Sequence, residues 1–238
     1  MQERKSFLIR LIEKAKTKKP RQDILPSEKP ALDYWEQKSL DSELLDAAGK
    51  GNNPQVLQLI RNGADLDARG GDCVTVLHRA ASIGHTQTCA LLLKEYAKSG
   101  RDVKKLITAK TRSAKRTPIY GAAAYGYADT CILIIEAYEK AGGDVKKLIF
   151  SKNRQRMTPM HSAAWNGHAR TCALLLGKYV SEGGDVNDLL AARDKERKTP
   201  LDRAADGAKP QQTQTAQFLR FMASLPGAFF ESFGECVA

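Results

Sequence analysis

Apolar residues recur along this chain in short blocks that return at a nearly constant interval. Each block opens with a threonine, which a proline follows in three of the four copies, and closes on two adjacent alanines. Threonine is a good helix N-cap and proline suits the first helical position, so each block predicts the start of a helix. A fixed period of this length predicts a repeat architecture in which neighbouring units pack on one another. The four copies are Thr75–Ala81, Thr117–Ala123, Thr158–Ala164 and Thr199–Ala205, with successive threonines 42, 41 and 41 residues apart.

The amino-acid sequence of these blocks resembles that of the ankyrin repeat, whose motif is T-P-L-H-x-A-A. One copy reads Thr158-Pro159-Met160-His161-Ser162-Ala163-Ala164. The resemblance implies an all-α solenoid of about five helix-turn-helix units, with β-turn fingers and capping segments at both ends. We expect helices from about Thr75 to Ser82 and from about Thr86 to Ser99 that recur with the period, and no sheet beyond the finger turns.

The repeats after the first are longer than the ankyrin pattern. The first pair of alanines, Ala47-Ala48, precedes the next by 33 residues, which is the ankyrin length. From a core position of the second helix to the loop aspartate, the chain runs nine residues in the first repeat but thirteen in the next three. The four added residues make about one helical turn. A further apolar turn follows Asp102, Asp144 and Asp185, which predicts a short helix that each aspartate caps.

The ends of the chain differ from the repeats. They divide it into residues 1–38, a basic segment with a short amphipathic helix, residues 39–223, the ankyrin-repeat domain, and residues 224–238, a tail. Residues 1–19 either contact an anionic membrane or a partner, or cap the first repeat together with Tyr34 and Trp35. The tail phenylalanines, Phe229, Phe230 and Phe233, either fold back on the last repeat or act as a recognition or export signal.

The net charge and the cysteine positions indicate the kind of partner and the cellular compartment. The net charge of +11 favours acidic partners. No apolar run approaches the length of a transmembrane helix, and the N-terminal apolar stretch is too short, and interrupted by Arg10, for a secretory signal. Of the five cysteines, Cys89, Cys131 and Cys172 recur with the period at a core position of the second helix. We expect them to be buried free thiols, which suits a reducing compartment such as the cytoplasm.

The histidines offer neither a catalytic nor a metal site. His78 and His161 occupy the motif position, and His85 and His168 start the second helices, so the repeat accounts for all four. The latter two precede a core cysteine with the i, i+4 spacing of zinc ligands, but the period explains both members of each pair without metal. Neither glycine-rich phosphate signature occurs. We therefore expect no enzymatic activity, no cofactor and no metal.

The finger loops of the three later repeats all carry the same sign of charge. The three later fingers each hold three or four basic residues, whereas the first finger is acidic. Stacked repeats place these loops side by side, which predicts a basic stripe that ends in an acidic one. In ankyrin repeats the two residues after Ala-Ala face the concave groove, and here they include the large residues Tyr125 and Trp165. Exposed aromatics surrounded by arginine are typical of a binding hot spot.

The predicted function is non-enzymatic recognition of an acidic or phosphorylated protein or peptide on the concave face and basic fingers. Two alternatives are nucleic-acid binding by the basic stripe, although no base-reading motif is present, and a bacterial effector, secreted into the host cytosol, whose repeats target a host protein. The candidate partner-binding residues are Ile83, Arg112, Lys115, Arg116, Tyr125, Arg154, Arg156, Trp165, Asn166, Lys195, Arg197 and Lys198.

Overall fold

A computed structural model describes residues 33–207 and 209–225. The chain divides into one unit that ends at Asp33 and a second that starts at Tyr34, and the helices described below all belong to the second. The expected N-terminal amphipathic helix, its membrane or capping contact, and the tail phenylalanines all fall outside the described residues. Tyr34 and Trp35 are the first two residues of a helix and are 69% and 72% exposed, so they are not buried as a cover.

Helices account for the regular structure of the described residues. One isolated β-bridge, between Arg69 and Thr75, is the only strand pairing within 33–207 and 209–225, which confirms the predicted all-α class. The helices are α1 (Tyr34–Lys50), α2 (Asn53–Arg61), α3 (Val76–Ile83), α4 (Thr86–Lys98), α5 (Val103–Thr108), α6 (Pro118–Ala124), α7 (Ala128–Lys140), α8 (Val145–Ile149), α9 (Pro159–Trp165), α10 (Ala169–Ser181), α11 (Val186–Leu190), α12 (Pro200–Ala205) and α13 (Pro210–Ser224).

The helices stack as five units in two layers. The inner helices, α1, α3, α6, α9 and α12, contact one another in chain order, and the outer helices, α2, α4, α7, α10 and α13, do the same behind them. The alanine pairs of α3, α6 and α9 are fully buried, and their small side chains let neighbouring helices approach closely. Each unit buries its apolar surface on the next one, as in a solenoid. The predicted repeat solenoid is confirmed.

The inner helices start where the threonines predict. Thr75, Thr158 and Thr199 are N-caps whose hydroxyl oxygens each accept the backbone N–H three residues later. Proline occupies the first position of α6, α9 and α12, where no intrahelical donor is needed. The predicted helices of the second unit agree with α3 and α4 to within one residue at each end.

The added residues lengthen the outer helices and insert a short helix after each. The helix α2 has 9 residues, whereas α4, α7 and α10 have 13, one turn more. Each loop aspartate then caps a short helix: Asp102 accepts from Lys104 N–H, Asp144 from Lys147 N–H and Asp185 from Asn187 N–H. The predicted elongation of the repeat is confirmed.

The periodic cysteines belong to the core. Cys89, Cys131 and Cys172 lie on the buried faces of α4, α7 and α10 and are fully buried and free. Burial raises the pKa of each thiol to about 12, so all three stay protonated at neutral pH. They act as small apolar side chains, as the sequence predicts.

Successive repeats are joined where a ring of one unit packs against a glycine of the unit before it. The inner helices α1, α3 and α6 are followed by Gly51, Gly84 and Gly126, which have φ values of 69°, 80° and 78°. A ring from the next unit lies against each glycine: His85, Tyr127 and His168 respectively. His85 also bonds the Gly49 carbonyl through Nε2 at 3.1 Å. Each glycine is therefore required both for its backbone conformation and for the space that a neighbouring ring occupies.

Candidate ligand-binding groove

Four finger loops stand side by side at one edge of the stack. Finger 1 (65–75), finger 2 (109–117), finger 3 (150–158) and finger 4 (191–199) lead into α3, α6, α9 and α12. One backbone hydrogen bond joins each to the next: Arg112 N–H to Asp72 C=O at 2.8 Å, Arg154 N–H to Ala114 C=O at 2.8 Å, and Lys195 N–H to Gln155 C=O at 2.9 Å. The fingers therefore form a continuous array whose relative positions the backbone fixes.

Each basic finger is closed by a polar residue at its base and turns through a left-handed residue. Asn153 Oδ1 accepts from the N–H groups of Gln155 and Met157, and Asp194 Oδ1 accepts from those of Glu196 and Lys198. Three cationic residues adopt positive φ at the turns: Lys115 (56°), Arg156 (61°) and Arg197 (63°). These three side chains, here called the fingertip cations, are exposed.

Two histidines of the inner helices form hydrogen bonds to finger loops. His78 Nε2 lies 3.0 Å from the Arg116 carbonyl, and His161 Nε2 lies 3.2 Å from the Lys198 carbonyl. Since a carbonyl only accepts, each Nε2 is protonated and each Nδ1 accepts, at 2.8 Å, from the hydroxyl of Thr75 or Thr158. Burial lowers the pKa of both imidazoles, so they are neutral at pH 7. Their role is structural, as the repeat motif predicts.

The middle inner helix replaces this histidine with Tyr120. Its hydroxyl accepts a hydrogen bond from Asn153 Nδ2 at 3.1 Å, and the Arg116 guanidinium lies 5.3 Å from the centre of its ring. Sequence reasoning missed this arrangement, although the tyrosine stood at the motif's histidine position. The substitution places a guanidinium on an aromatic ring at the edge of finger 2.

A groove of about 790 Å³ runs between the inner helices and the fingers. Small residues from α3, α6 and α9, including Ser82, Gly121 and Ser162, form part of its lining. Four of the predicted partner-binding residues line it: Arg116, Tyr125, Trp165 and Asn166. Tyr125 is 63% exposed and Trp165 is 45% exposed, so both present aromatic surface to solvent there.

The other eight predicted residues lie outside this groove. Ile83 lines a neighbouring depression of about 600 Å³. Lys198 pairs with Asp206 at 2.5 Å, so its ammonium is already engaged. The remaining six are exposed, and among the described residues none forms an ion pair with an acidic side chain. These six are Arg112, Lys115, Arg154, Arg156, Lys195 and Arg197.

The family assignment follows from this repeat geometry and from a direct sequence match. A family described as ankyrin repeats (3 copies) matches residues 44–142 and 95–189, more than half of the chain. The chain belongs to the ankyrin-repeat family. A search of curated proteins gives no match to this chain.

The carboxylates of finger 1, at the acidic end of the ankyrin finger array, already have partners within the protein. Asp65 and Asp67 both pair with Arg101, at 2.7 and 2.9 Å. Asp72 accepts from Ser113 through its side chain at 2.7 Å and through the backbone N–H at 2.6 Å. These hydrogen bonds, with smaller help from Arg112, lower the pKa of Asp72. Arg101 thus offsets one of the two charges of Asp65 and Asp67 and Asp72 remains ionised, whereas most basic side chains of the later fingers form no ion pair among the described residues.

Beneath Trp165 lies a buried ion pair that sequence reasoning also missed. The Arg203 guanidinium lies 4.9 Å from the centre of the Trp165 ring and pairs with Asp194 through Nε at 2.6 Å and Nη2 at 2.5 Å. A weaker bond joins Arg203 to Glu196 at 3.2 Å. Arg203 therefore connects finger 4 to the aromatic wall of the ankyrin groove.

Among the described residues, no group of three or more potential metal-ligating side chains comes together. None of the helices described there is long and apolar enough to cross a membrane.

Proposed function

We propose that this protein is a non-enzymatic interaction module that binds an acidic or phosphorylated protein or peptide along the groove and the basic fingers. Ankyrin repeats are generally protein–protein interaction modules. The observation that carries the proposal is the juxtaposition of two exposed aromatics, Tyr125 and Trp165, with a row of finger cations that lack acidic partners in the described part of the chain. This is the composition of a protein-binding hot spot with a charged rim.

The two kinds of residue have different roles in this proposal. Tyr125 and Trp165 anchor an apolar group of the partner, because a large aromatic that is buried on binding contributes most of the affinity. The fingertip cations stand outside the groove, where they steer an anionic partner during approach more than they hold it. Arg116, which lines the groove, is placed to do both.

Replacing Trp165 by alanine should weaken partner binding by about 2 kcal/mol, since the change removes a central aromatic contact.

Converting Lys115, Arg156 and Arg197 together to glycine should instead slow association and flatten its salt dependence, with a smaller change in dissociation rate. Glycine suits these positions because all three have positive φ, so the charges are removed without backbone strain. Surface plasmon resonance at two salt concentrations separates the two effects.

Trp35→Ala is the matched control, because this second tryptophan lies in α1 and does not line the groove. It should leave binding unchanged. Wild-type affinity after the combined Trp165 and fingertip changes would contradict the proposal. A nucleic-acid ligand would instead give a salt slope of about 0.7 to 0.9 per phosphate contact and little dependence on Trp165 unless bases stack on it.

We also propose that the protein works in a reducing compartment such as the cytoplasm, or the host cytosol for a secreted bacterial effector. The free cysteines among the described residues, Cys73, Cys89, Cys131 and Cys172, support this setting. The effector alternative concerns the route of delivery, and the same groove would bind the partner in either case.

A further inference from the structure

The aromatic wall of the groove is held in place while much of its surface faces solvent. Trp165 is 45% exposed, yet its ring lies against the Arg203 guanidinium, 4.9 Å from the ring centre, and its carbonyl accepts from Gln212 Nε2. A large aromatic that is already fixed loses little conformational freedom on binding. The exposed face of Trp165 therefore suits an apolar or aromatic side chain.

Cations surround this end of the groove. The backbone bond from Lys195 N–H to Gln155 C=O, at 2.9 Å, holds fingers 3 and 4 together, and Gln155 lines the groove. The ionised Asp72 belongs to finger 1, at the opposite end of the array. Four exposed cations of fingers 3 and 4 form no ion pair among the described residues: Arg154, Arg156, Lys195 and Arg197. An occupant of this end should therefore be acidic as well as aromatic.

The chain itself contains a segment of this composition. The 13 residues that follow Leu225 include Phe229, Phe230 and Phe233, together with Glu231 and Glu235, but no lysine or arginine. This stretch is acidic in a chain of net charge +11. In an extended segment alternate side chains share one side, so the spacing of Glu231, Phe233 and Glu235 suits a surface that binds one aromatic between two carboxylates.

The last helix brings this segment to the edge of the fingers. The helix α10 ends at the edge where α11 and then finger 4 begin, and α13 contacts both α10 and α11. Because the repeats stack their outer helices in the same direction, α13 also ends at that edge. Residues 226–238 therefore leave the last described residue, Leu225, on the side of the molecule where the finger cations lie.

The segment is long enough to reach Trp165. Gln212, which contacts Trp165, lies 13 residues before Leu225 on α13. That separation is about 20 Å along the helix axis. Phe233 follows Leu225 by 8 residues, and an extended chain of this length spans about 26 Å. Phe233 can therefore contact Trp165 without any change in the helices.

We propose that the tail of this chain occupies its own groove, with Phe233 against Trp165 and with Glu231 and Glu235 facing the cations of fingers 3 and 4. The inference rests on the proposed function and names the class of ligand, an extended acidic segment with a central aromatic. It also makes the tail a regulator of the groove, because a partner must displace it. A tethered segment acts at an effective concentration of about 1 mM, so an intrinsic Kd of about 0.1 mM would weaken partner binding about tenfold.

The test uses the full chain and a fluorescein-labelled synthetic peptide of residues 226–238 as the external ligand. Phe233→Ala in the chain should increase its affinity for the peptide about tenfold, because the tail no longer competes. Phe221→Ala is the matched control, since Phe221 lies on α13 and is 59% exposed, and it should bind the peptide like wild type. Adding Trp165→Ala to Phe233→Ala should reduce peptide affinity at least about tenfold.

The charges are tested in the same assay. A chain with Glu231→Gln and Glu235→Gln should bind the peptide about threefold more tightly than wild type at low salt and no more tightly at high salt, because screening removes the attraction to the fingers. No gain at low salt would overturn the contact between the tail glutamates and the fingers.

A second measurement follows Trp165 directly. The chain has two tryptophans, so Trp35→Phe leaves Trp165 as the sole one. In this background Phe233→Ala should increase acrylamide quenching of Trp165 fluorescence about twofold, because the tail no longer covers the ring. Sedimentation should show a monomer at all concentrations. A dimer that Phe233→Ala dissociates would place the tail in the groove of a second copy and overturn the intramolecular contact.

Equal peptide affinity of the wild-type and Phe233→Ala chains, or equal quenching of Trp165 in both, would overturn the occupancy of the groove by the tail. Partner binding that still depends on Trp165 would then leave the proposed function in place. The proposed function itself fails if partner binding is indifferent to both Trp165 and the fingertip cations.

Discussion

Gly126→Ala should lower the free energy of unfolding by about 4 kcal/mol, the sum of backbone strain and a displaced ring. Gly126 has a φ of 78°, which an alanine adopts only at a cost. A Cβ there would lie 2.5 Å from Nδ1 and 2.7 Å from Cγ of His168. His168 would have to move, and its hydrogen bond to the Ala124 carbonyl would be lost. Because this contact joins the third repeat to the fourth, urea unfolding should become biphasic.

Gly142→Ala is the matched control. Gly142 has a φ of 69°, close to that of Gly126, but nothing lies within 4 Å of the position where its Cβ would be. Its substitution should cost only the backbone strain, about 1 kcal/mol, with a single transition. Equal destabilisation by the two alanines would show that the ring contact between repeats contributes nothing.

Asp194→Ala should lower the free energy of unfolding by about 3 kcal/mol, since it leaves the guanidinium of Arg203 buried with one weak partner. The side chain of Asp194 is fully buried and that of Arg203 is 7% exposed. The change also removes the acceptor that closes finger 4. Glu196→Ala is the control, because the Glu196 carboxylate is 64% exposed, and it should cost less than about 1 kcal/mol.

The same ion pair gives a dependence on pH. Burial raises the pKa of Asp194, but the hydrogen bonds from Arg203 and from two backbone N–H groups outweigh it and lower the pKa overall. A carboxyl whose pKa is lowered on folding stabilises the protein above its unfolded pKa of about 3.9 and loses this effect as the pH falls through the folded value. Chemical denaturation between pH 6 and pH 2 should therefore show a steeper loss for wild type than for Asp194→Ala. Parallel curves would contradict this contribution.

The period of the sequence predicts most of this fold. The threonine-led blocks locate the inner helices to within a residue, and a count from core position to loop aspartate finds the added turn and the short helix. These predictions succeed because they depend on local capping and on a repeated pattern. The roles of His78 and His161 follow from the same repetition.

The groove was harder to predict, because it depends on which way neighbouring side chains face. Lys115 and Arg116 are adjacent and carry the same charge, yet Lys115 occupies the left-handed turn and Arg116 lines the groove. Arg79 and Arg203 occupy the same motif position, yet one is exposed in the groove and the other is buried in an ion pair. Each difference depends on a side-chain contact within the repeat, Arg116 with the ring of Tyr120 and Arg203 with Asp194, which the repeat motif alone does not specify.

The most direct test of the central claim places a photo-crosslinking phenylalanine derivative at Tyr125, in the groove, or at Tyr34, in α1. Both tyrosines are well exposed, at 63% and 69%, so the two probes have similar access to solvent. With the partner that the intact chain binds, we expect crosslinking from position 125 and none from position 34. Crosslinking from position 34 alone would contradict it and move the binding surface to the N-terminal end of the repeats.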